Sequence, residues 1–204
     1  MCATAHRLGL LIAGCFVGLV LGCGQNPIKV PNELYDWQPK QGVFHMQFPG
    51  GWRYDGGNAH GDQWAEFSTR GCVITVKTDL ISSLSGDMMG GNSPIQGGLS
   101  PEAQKMAEAM APISIVHTNN AENIPPSYSK YSEGKYQVFQ SGFGSSRRSE
   151  FVAQAGMTGT VHGYRATVLA MDRWLTIFCH CPEKDWQNFK PVYDRVLESI
   201  TPGH

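Results

Sequence analysis

The sequence has little charge and no block of either sign. Its 204 residues include 16 Lys plus Arg and 17 Asp plus Glu, so only 16% of the chain is charged. Proteins that bind nucleic acids usually concentrate Lys and Arg in a patch or along a stripe. The even spread of charge here therefore predicts no nucleic-acid partner.

The sequence motifs of common catalytic sites are missing. The chain has no His-Glu-x-x-His, no P-loop, no Gly-x-Ser-x-Gly and no Cys-x-x-Cys. Gly142-Phe-Gly144 lacks the third glycine of a dinucleotide-binding loop and precedes a predicted strand, so a hairpin turn is expected there. Ser, His and Asp residues occur at spacings that single out no triad. We therefore expect neither enzyme activity nor a cofactor.

A long apolar run occurs only at the N-terminus. Leu8 to Gly22 is an uncharged run of fifteen residues behind Arg7, whereas a bilayer-spanning helix needs about 20. A basic start followed by a short apolar run is typical of a secretory signal peptide. Val20-Leu21-Gly22-Cys23 resembles the lipobox of bacterial lipoproteins, which implies cleavage before Cys23 and lipidation of that residue. An ordinary signal peptide or an uncleaved anchor is the alternative.

These features divide the chain into three parts. Residues 1–22 are expected to be a lipoprotein signal peptide, residues 23–41 a proline-containing tether, and residues 42–204 one domain. A domain of this length can bury a substantial core. The lipid would anchor the protein to a membrane of the bacterial cell envelope, facing the periplasm or the exterior.

The last quarter of the chain has the clearest secondary-structure pattern. Gly163–Ala170 and Trp174–Cys181 are apolar strands separated by a short turn, which predicts an antiparallel hairpin that is covered on both faces. Glu183–Ile200 has a helical apolar stripe that should cover one face of the sheet, and Pro191 predicts a kink or a break in that helix. Further strands are predicted at Val43–Phe48, Gln63–Ser68, Cys72–Thr78, Tyr136–Gln140 and Arg147–Ala155.

Between the strands, the pattern predicts one helix, one loop and one buried tryptophan. Ser100-Pro101-Glu102 is typical of a helix N-terminus, with Met106 and Met110 on the buried side of the helix. The glycine-rich stretch Asp79–Leu99 predicts a long loop, which either faces a partner or is an insertion without a role. Trp52, after the strand-ending Pro49-Gly50-Gly51, is expected to be a buried plug at one edge of the sheet.

The element order resembles the PsbP-like superfamily, which includes PsbP and DcrB-type domains. The resemblance covers residues 42–200 and includes the start Phe48-Pro-Gly-Gly-Trp52 and the closing Ser199-Ile200. It implies an α+β fold in which an antiparallel sheet of about six or seven strands packs between helices, as an α/β/α sandwich. It also implies a non-catalytic binding or assembly module, although fold similarity does not fix function.

Cysteine is scarce in the expected mature domain. Beyond Cys23 it holds Cys72, Cys179 and Cys181, so an oxidising envelope allows one disulfide, and Cys72 could pair with either of the other two. Cys179 and Cys181 share one strand face about 7 Å apart, a poor geometry for a bond between them. Cys179 and Cys181 are candidate ligands for copper or zinc, with Cys72, His117, Met88 or Met89 as further ligands, but the favoured interpretation is a row of small core residues.

Two functions from different classes remain. The leading hypothesis is a lipid-anchored envelope protein that acts as a non-catalytic binding or scaffold module for a possible protein partner. The alternative is an envelope lipoprotein that handles thiols or metal through Cys179 and Cys181. Metal content and a count of free thiols would distinguish the two.

Overall fold

The structure, a computed structural model, describes residues 28–203 except 41, 60–61, 81–100, 103–105, 107–109, 123 and 171–172. Its described elements include eleven strands, three short 3-10 helices and two α-helices. The α-helices are α1 Pro112–Asn119 and α2 Trp186–Glu198. The strands are β1 Leu34–Trp37, β2 Phe44–Pro49, β3 Arg53–Ala59, β4 Asp62–Thr69, β5 Cys72–Leu80, β6 Tyr128–Glu133, β7 Gln137–Ser141, β8 Gly144–Ala155, β9 Gly159–Leu169, β10 Arg173–Pro182 and β11 Thr201–Pro202.

The larger sheet has eight strands in the order β3-β4-β5-β10-β9-β8-β6, with β7 also paired to β8. All of its neighbouring strands are antiparallel. A smaller sheet, β1-β2-β11, packs with α2 over one face, while α1 lies over the other. The predicted antiparallel α+β sandwich is therefore confirmed. The larger sheet has eight strands where about six or seven were expected, and its strands β3 and β6 were not predicted because they gave no clear alternating pattern.

The central hairpin β9–β10 supplies much of the core. Ile177 pairs with Ala166 in its register, and both are fully buried. Side chains alternate between the faces of a strand, so the row Leu175, Ile177, Cys179 and Cys181 points toward α2. Cys179 and Cys181 share one strand face, as the sequence predicts.

Helix α2 runs without interruption through Pro191, so the predicted alternative of two separate helices is wrong. Pro191 lies on the exposed side of the helix. The buried residues Trp186 and Phe189 precede it, and Tyr193 and Val196 follow it. Because both halves of the helix pack on the same core, burial outweighs the lost backbone hydrogen bond.

Helix α1 covers part of the other sheet face and begins directly at Pro112. A proline at the first helical position costs no hydrogen bond, because that backbone nitrogen would lack a helical partner anyway. The sequence instead predicts burial of Met106 and Met110, which are 67% and 70% exposed. That expectation is wrong because α1, and not the segment before it, contacts β8 and β9 in the described part of the chain.

The domain begins earlier than the predicted boundary at residue 42. Strand β1 lies within the predicted tether and pairs with β2, where Trp37 lies opposite Met46. Leu34 and Trp37 pack against the main core. The burial of these side chains holds the segment on the domain, so the tether prediction is corrected for residues 34–37.

Some predictions lie outside the described residues. The predicted signal peptide and Cys23 are among residues 1–27, and most of the loop predicted at Asp79–Leu99 falls in residues 81–100. Of the helices in the described ranges, none combines the length and the apolarity that a membrane crossing requires.

Candidate functional site

An open groove lies on the α1 side of the larger sheet, where β4, β5 and β10 extend beyond α1. It consists of two cavities of about 550 and 520 Å³ that share Thr75 and Pro125. We call it the aromatic groove. Its ring-bearing lining residues are Trp64, Tyr128, Trp174, Phe178 and His180.

Strand register explains why these rings gather on one side. Trp64 pairs with Lys77, which in turn pairs with Thr176 on β10. Trp174 and Phe178 lie two residues on either side of Thr176, so all of these side chains share one sheet face. The alternate residues of β4 and β10 point into the core on the other face. The groove floor is therefore rigid, because its backbone also carries the core.

Trp64 lies against the glycine-rich edge strand β3. A Cβ added at Gly57 would be 2.9 Å from Trp64 Nε1, so the indole occupies the space that a side chain there would need. The Trp64 side chain remains 41% exposed. A large aromatic ring held flat and open to solvent is a suitable surface for stacking a ligand.

The other end of the groove is fixed by a hydrogen bond between Tyr128 Oη and His180 Nδ1, 2.7 Å apart. Burial lowers the pKa of His180 to about 4, and burial raises the pKa of Tyr128 above its ordinary value. Both groups are therefore neutral near neutral pH, and the phenol can donate to the unprotonated Nδ1. This end of the groove presents two neutral, mutually oriented rings.

Asn120, directly after α1, also lines the first cavity. Its Nδ2 is shielded from solvent and has no hydrogen-bond partner among the residues that the structure describes. An unsatisfied buried donor costs about 1–3 kcal/mol. Because the donor is shielded, it is not available to a ligand in the groove in this conformation.

A buried polar layer lies next to the groove, between α1 and the sheet. His117 Nδ1 is 2.9 Å from Thr167 Oγ1, and His117 Nε2 is 3.0 Å from Ser149 Oγ. Burial, together with the charges of Arg165 and Arg147, lowers the pKa of His117 to about 3. The imidazole is therefore neutral and exchanges hydrogen bonds with both hydroxyls.

The contact between His117 and Ser149 has the groups of a nucleophile and its base. However, Ser149 and His117 are each only 1% exposed, so a substrate could not reach them in this conformation. Their hydrogen bonds instead join α1 to β8 and β9. The layer therefore satisfies the buried polar groups between α1 and the sheet.

The three thiols lie on the opposite sheet face from His117, so the sequence-based metal set of Cys72, Cys179, Cys181 and His117 is not brought together. All three cysteines are free and fully buried in the main core. Burial, aided by the nearby Asp185 carboxylate, raises the pKa of Cys72 to about 12. Within the described ranges, no three His, Cys, Asp or Glu side chains form a cluster suited to a metal ion. Cys179 and Cys181 continue the buried row of Leu175 and Ile177.

Trp52 is only half buried. Its ring centroid lies 6.4 Å from that of Phe189, and it packs against the main core as expected. Its other side borders a third cavity of about 560 Å³, whose wall includes Lys29, Glu33 and Arg70. The core contact is as predicted, but the complete burial is not observed.

The aromatic groove was not predicted from the sequence. The apolar character of both faces of Trp174–Cys181 indicates cover on both sides, yet the Trp174 end is only partly covered by described residues. A usable signal was present in the tryptophans at 64 and 174, which occupy the strand faces opposite to the core rows. Which part of a face α1 leaves open depends on tertiary placement, which strand periodicity does not encode.

No family model matches the sequence, and no curated protein matches it. Among solved structures, the chain is similar to cyanobacterial PsbP (CyanoP) from Synechocystis sp. PCC 6803, with 13% identity, coverage of 89% of this chain and 98% of that one, and a TM-score of 0.49. A Pseudomonas aeruginosa protein of unknown function, described as a putative regulator, has 12% identity, coverage of 84% and 98%, and a TM-score of 0.42.

LpqN, involved in cell envelope biogenesis of Mycobacterium tuberculosis, has 11% identity, coverage of 85% of this chain and 93% of that one, and a TM-score of 0.35. At these identities the likeness concerns the fold alone.

Proposed function

We propose that the protein is a lipid-anchored, non-catalytic module of the bacterial cell envelope that binds an extended polypeptide segment in its aromatic groove. The observation that carries this proposal is the row of rings that lines the two cavities on one sheet face, in which Trp64 is 41% exposed, Trp174 and Tyr128 are partly buried, and Phe178 and His180 are buried. Grooves lined by aromatic side chains are a recurring means of binding extended, proline-containing or aromatic segments.

The shape and chemistry of the groove favour a polypeptide over a charged small molecule. Two adjoining cavities make the groove elongated. Lys77 at its rim is paired with Asp79 at 2.7 Å, and Glu66 is the other charged residue of the two linings, so the groove does not suit an anionic ligand. The rings supply apolar area at a low cost in side-chain entropy.

A peptide library provides the test of the groove. Peptides displayed on phage are selected on the purified chain, and the enriched sequences are synthesised and titrated by calorimetry. We expect enrichment of uncharged aromatic or proline-containing peptides, with affinity reduced at least tenfold, or about 1.4 kcal/mol, by Trp174→Ala or Trp64→Ala. Tyr35→Ala removes an equally exposed ring outside the groove, 52% exposed, and should bind normally. Equal binding by Trp174→Ala and the unmodified chain would overturn the proposal.

The anchoring part of the proposal rests on the lipobox at Val20–Cys23. Cys23→Ala should leave an unprocessed precursor, because the acceptor of the lipid is lost, whereas Cys72→Ala should be processed normally. Labelling with a radioactive or alkyne-bearing fatty acid measures lipidation directly, and membrane fractionation follows anchoring. Normal cleavage and release of the Cys23→Ala protein would contradict the lipoprotein assignment and leave the groove proposal intact.

The alternative of a thiol- or metal-handling protein receives no support from the described geometry. Reactive or ligating thiols need access and a lowered pKa. Here Cys179 and Cys181 are fully buried, and burial raises the pKa of both. The thiols are placed for a structural role.

A further inference from the structure

Cys72 and Cys181 lie directly opposite each other on neighbouring strands. In the antiparallel ladder of β5 and β10, His180 pairs with Val73, so the next step of the same register places Cys181 across from Cys72. The two strands also remain close to each other one residue beyond this pair, because a Cβ built on Gly71 would be 3.6 Å from Pro182 Cγ. The two cysteines are thus bracketed by contacts on both sides.

Both side chains also point to the same face. Cys72 and Cys181 are fully buried members of the main core. Directly opposed residues of an antiparallel pair have Cα atoms about 4.5–5.5 Å apart, and disulfides require about 4.4–6.8 Å. The two thiols therefore satisfy both the distance and the orientation that a disulfide needs.

The same register excludes the other pairing of Cys72. Cys179 lies opposite Ile74, so it is a diagonal neighbour of Cys72, at about 7–8 Å. Cys179 and Cys181 are separated by about 7 Å along one strand. Both distances are beyond the usual disulfide range. The register therefore favours Cys181 over Cys179 as the partner of Cys72, a choice that the sequence leaves open.

We propose that Cys72 and Cys181 form a disulfide between β5 and β10 when the chain folds under oxidising conditions, while Cys179 remains a thiol. Each sulfur loses its hydrogen and one S–S bond forms. The two electrons and two protons pass to a disulfide oxidant, whose own S–S bond breaks to give two thiols. In the experiment below that oxidant is glutathione disulfide.

Burial of the two sulfurs determines at which stage of folding the disulfide can form. Tyr193 of α2 donates a hydrogen bond to the carbonyl oxygen of His180, at 2.5 Å, next to this pair. Once α2 has closed over the sheet, an oxidant cannot reach the fully buried sulfurs. Oxidation therefore precedes the docking of α2, and the finished bond is then protected from reductants. It would close a loop from residue 72 to residue 181, which is long enough for a large entropic effect on the unfolded chain.

Oxidative refolding of the full chain tests the proposal. Reduced, denatured protein is diluted into buffer with glutathione disulfide, remaining thiols are blocked with N-ethylmaleimide, and tryptic peptides are mapped by tandem mass spectrometry. We expect a linked pair of peptides, Gly71–Lys77 and Trp174–Lys184, with the bond at Cys181 and the maleimide on Cys179. Blocked Cys72 and Cys181, or a bond at Cys179, would overturn the proposal.

Melting temperatures provide a second readout. The oxidised chain should melt roughly 5–15 °C above the reduced chain. Cys179→Ala should keep this difference, and Cys72→Ala or Cys181→Ala should lose it. Peptide mapping of the unmodified chain decides the proposal even where a variant fails to fold. An equal difference in Cys181→Ala would also contradict it.

Discussion

Arg165 and Glu133 form a two-point ion pair beneath α1, with Nε 2.8 Å from Oε2 and Nη2 2.6 Å from Oε1. Arg165 is fully buried, and its Nη1 also donates to the carbonyl oxygen of His117 at 2.8 Å. One guanidinium therefore joins β9 to β6 and to α1. Since planar, paired hydrogen bonds need an Arg and a carboxylate, the pair fixes the placement of these elements as well as their charge.

Removing the carboxylate should be strongly destabilising. Glu133→Gln leaves the Arg165 charge buried without a counter-charge, and we expect a loss of about 3–5 kcal/mol in the free energy of unfolding. The double variant Glu133→Gln with Arg165→Met should recover part of this loss, because the buried charge is then also gone. Urea unfolding of the single and double variants measures both values. A single variant as stable as the unmodified chain would show that solvent reaches Arg165.

The domain should lose stability in mild acid because of two buried histidines. The folded-state pKa values of His117 and His180 are lowered from 6.5 to about 3 and about 4, in both cases chiefly by burial. The unfolded chain binds these protons first, so the stabilising effect is complete above pH 6.5 and falls as the pH drops toward those values. Between about pH 7.5 and about pH 5 the two groups together should cost about 4 kcal/mol.

Unfolding curves over this pH range measure the effect. His117→Gln and His180→Gln keep a polar side chain that does not titrate, and each should remove about half of the acid-dependent loss. The contribution of Glu133 to the pH dependence of stability falls at lower pH than that of the histidines. Burial raises its pKa, but hydrogen bonds from Arg165 and Tyr131 outweigh that effect and lower it below 4.5 overall. Its contribution is therefore present above pH 4.5 and lost below. A double histidine variant with an unchanged pH dependence would contradict this assignment.

Much of the fold follows from local pattern in the sequence. The short apolar run Trp174–Cys181, which follows a second apolar run after a short turn, identifies the central hairpin. The apolar spacing of Trp186, Phe189 and Tyr193 likewise locates the covering helix. Prolines give wrong predictions where tertiary burial outweighs local propensity. Pro191 lies inside one continuous helix, and strand β1 lies in a segment whose prolines predict a tether.

The contacts between distant residues could not be predicted from local pattern. An arginine at 165 in an otherwise apolar strand indicates a buried partner, but only the fold identifies Glu133, 32 residues away. The pairing of Cys72 with Cys181 likewise depends on the register between β5 and β10. Register is fixed by non-local contacts, whereas sequence periodicity reports each strand by itself.

Trp186 and Trp52 differ in burial, so they should differ in how much each stabilises the domain. Trp186 is 2% exposed and stacks on His162 at 4.3 Å between ring centroids. Trp52 is only partly buried, beside a cavity. We expect Trp186→Ala to cost about 3–5 kcal/mol and Trp52→Ala about 1–3 kcal/mol. Chemical unfolding measures both, and a larger loss for Trp52→Ala would indicate that the cavity beside it is closed in solution.

Gly163 occupies a position on β9 that has no room for a side chain. A Cβ there would lie 2.0 Å from the carbonyl oxygen of Cys179 and 2.8 Å from His180 Cβ. The first of these atoms belongs to the backbone of β10, which the core residues on either side hold in place. Gly163→Ala can be accommodated only if the two central strands move apart.

We therefore expect Gly163→Ala to lower the free energy of unfolding by about 3 kcal/mol or more. Gly134→Ala is the matched control, because a Cβ there meets only the carbonyl oxygen of Glu150, at an ordinary 3.7 Å. This control should change stability by less than about 1 kcal/mol. Thermal and urea unfolding of the two variants give the comparison. If Gly163→Ala were as stable as Gly134→Ala, the close approach of β9 and β10 at His180 would be wrong, and with it the fixed position of the His180 end of the groove.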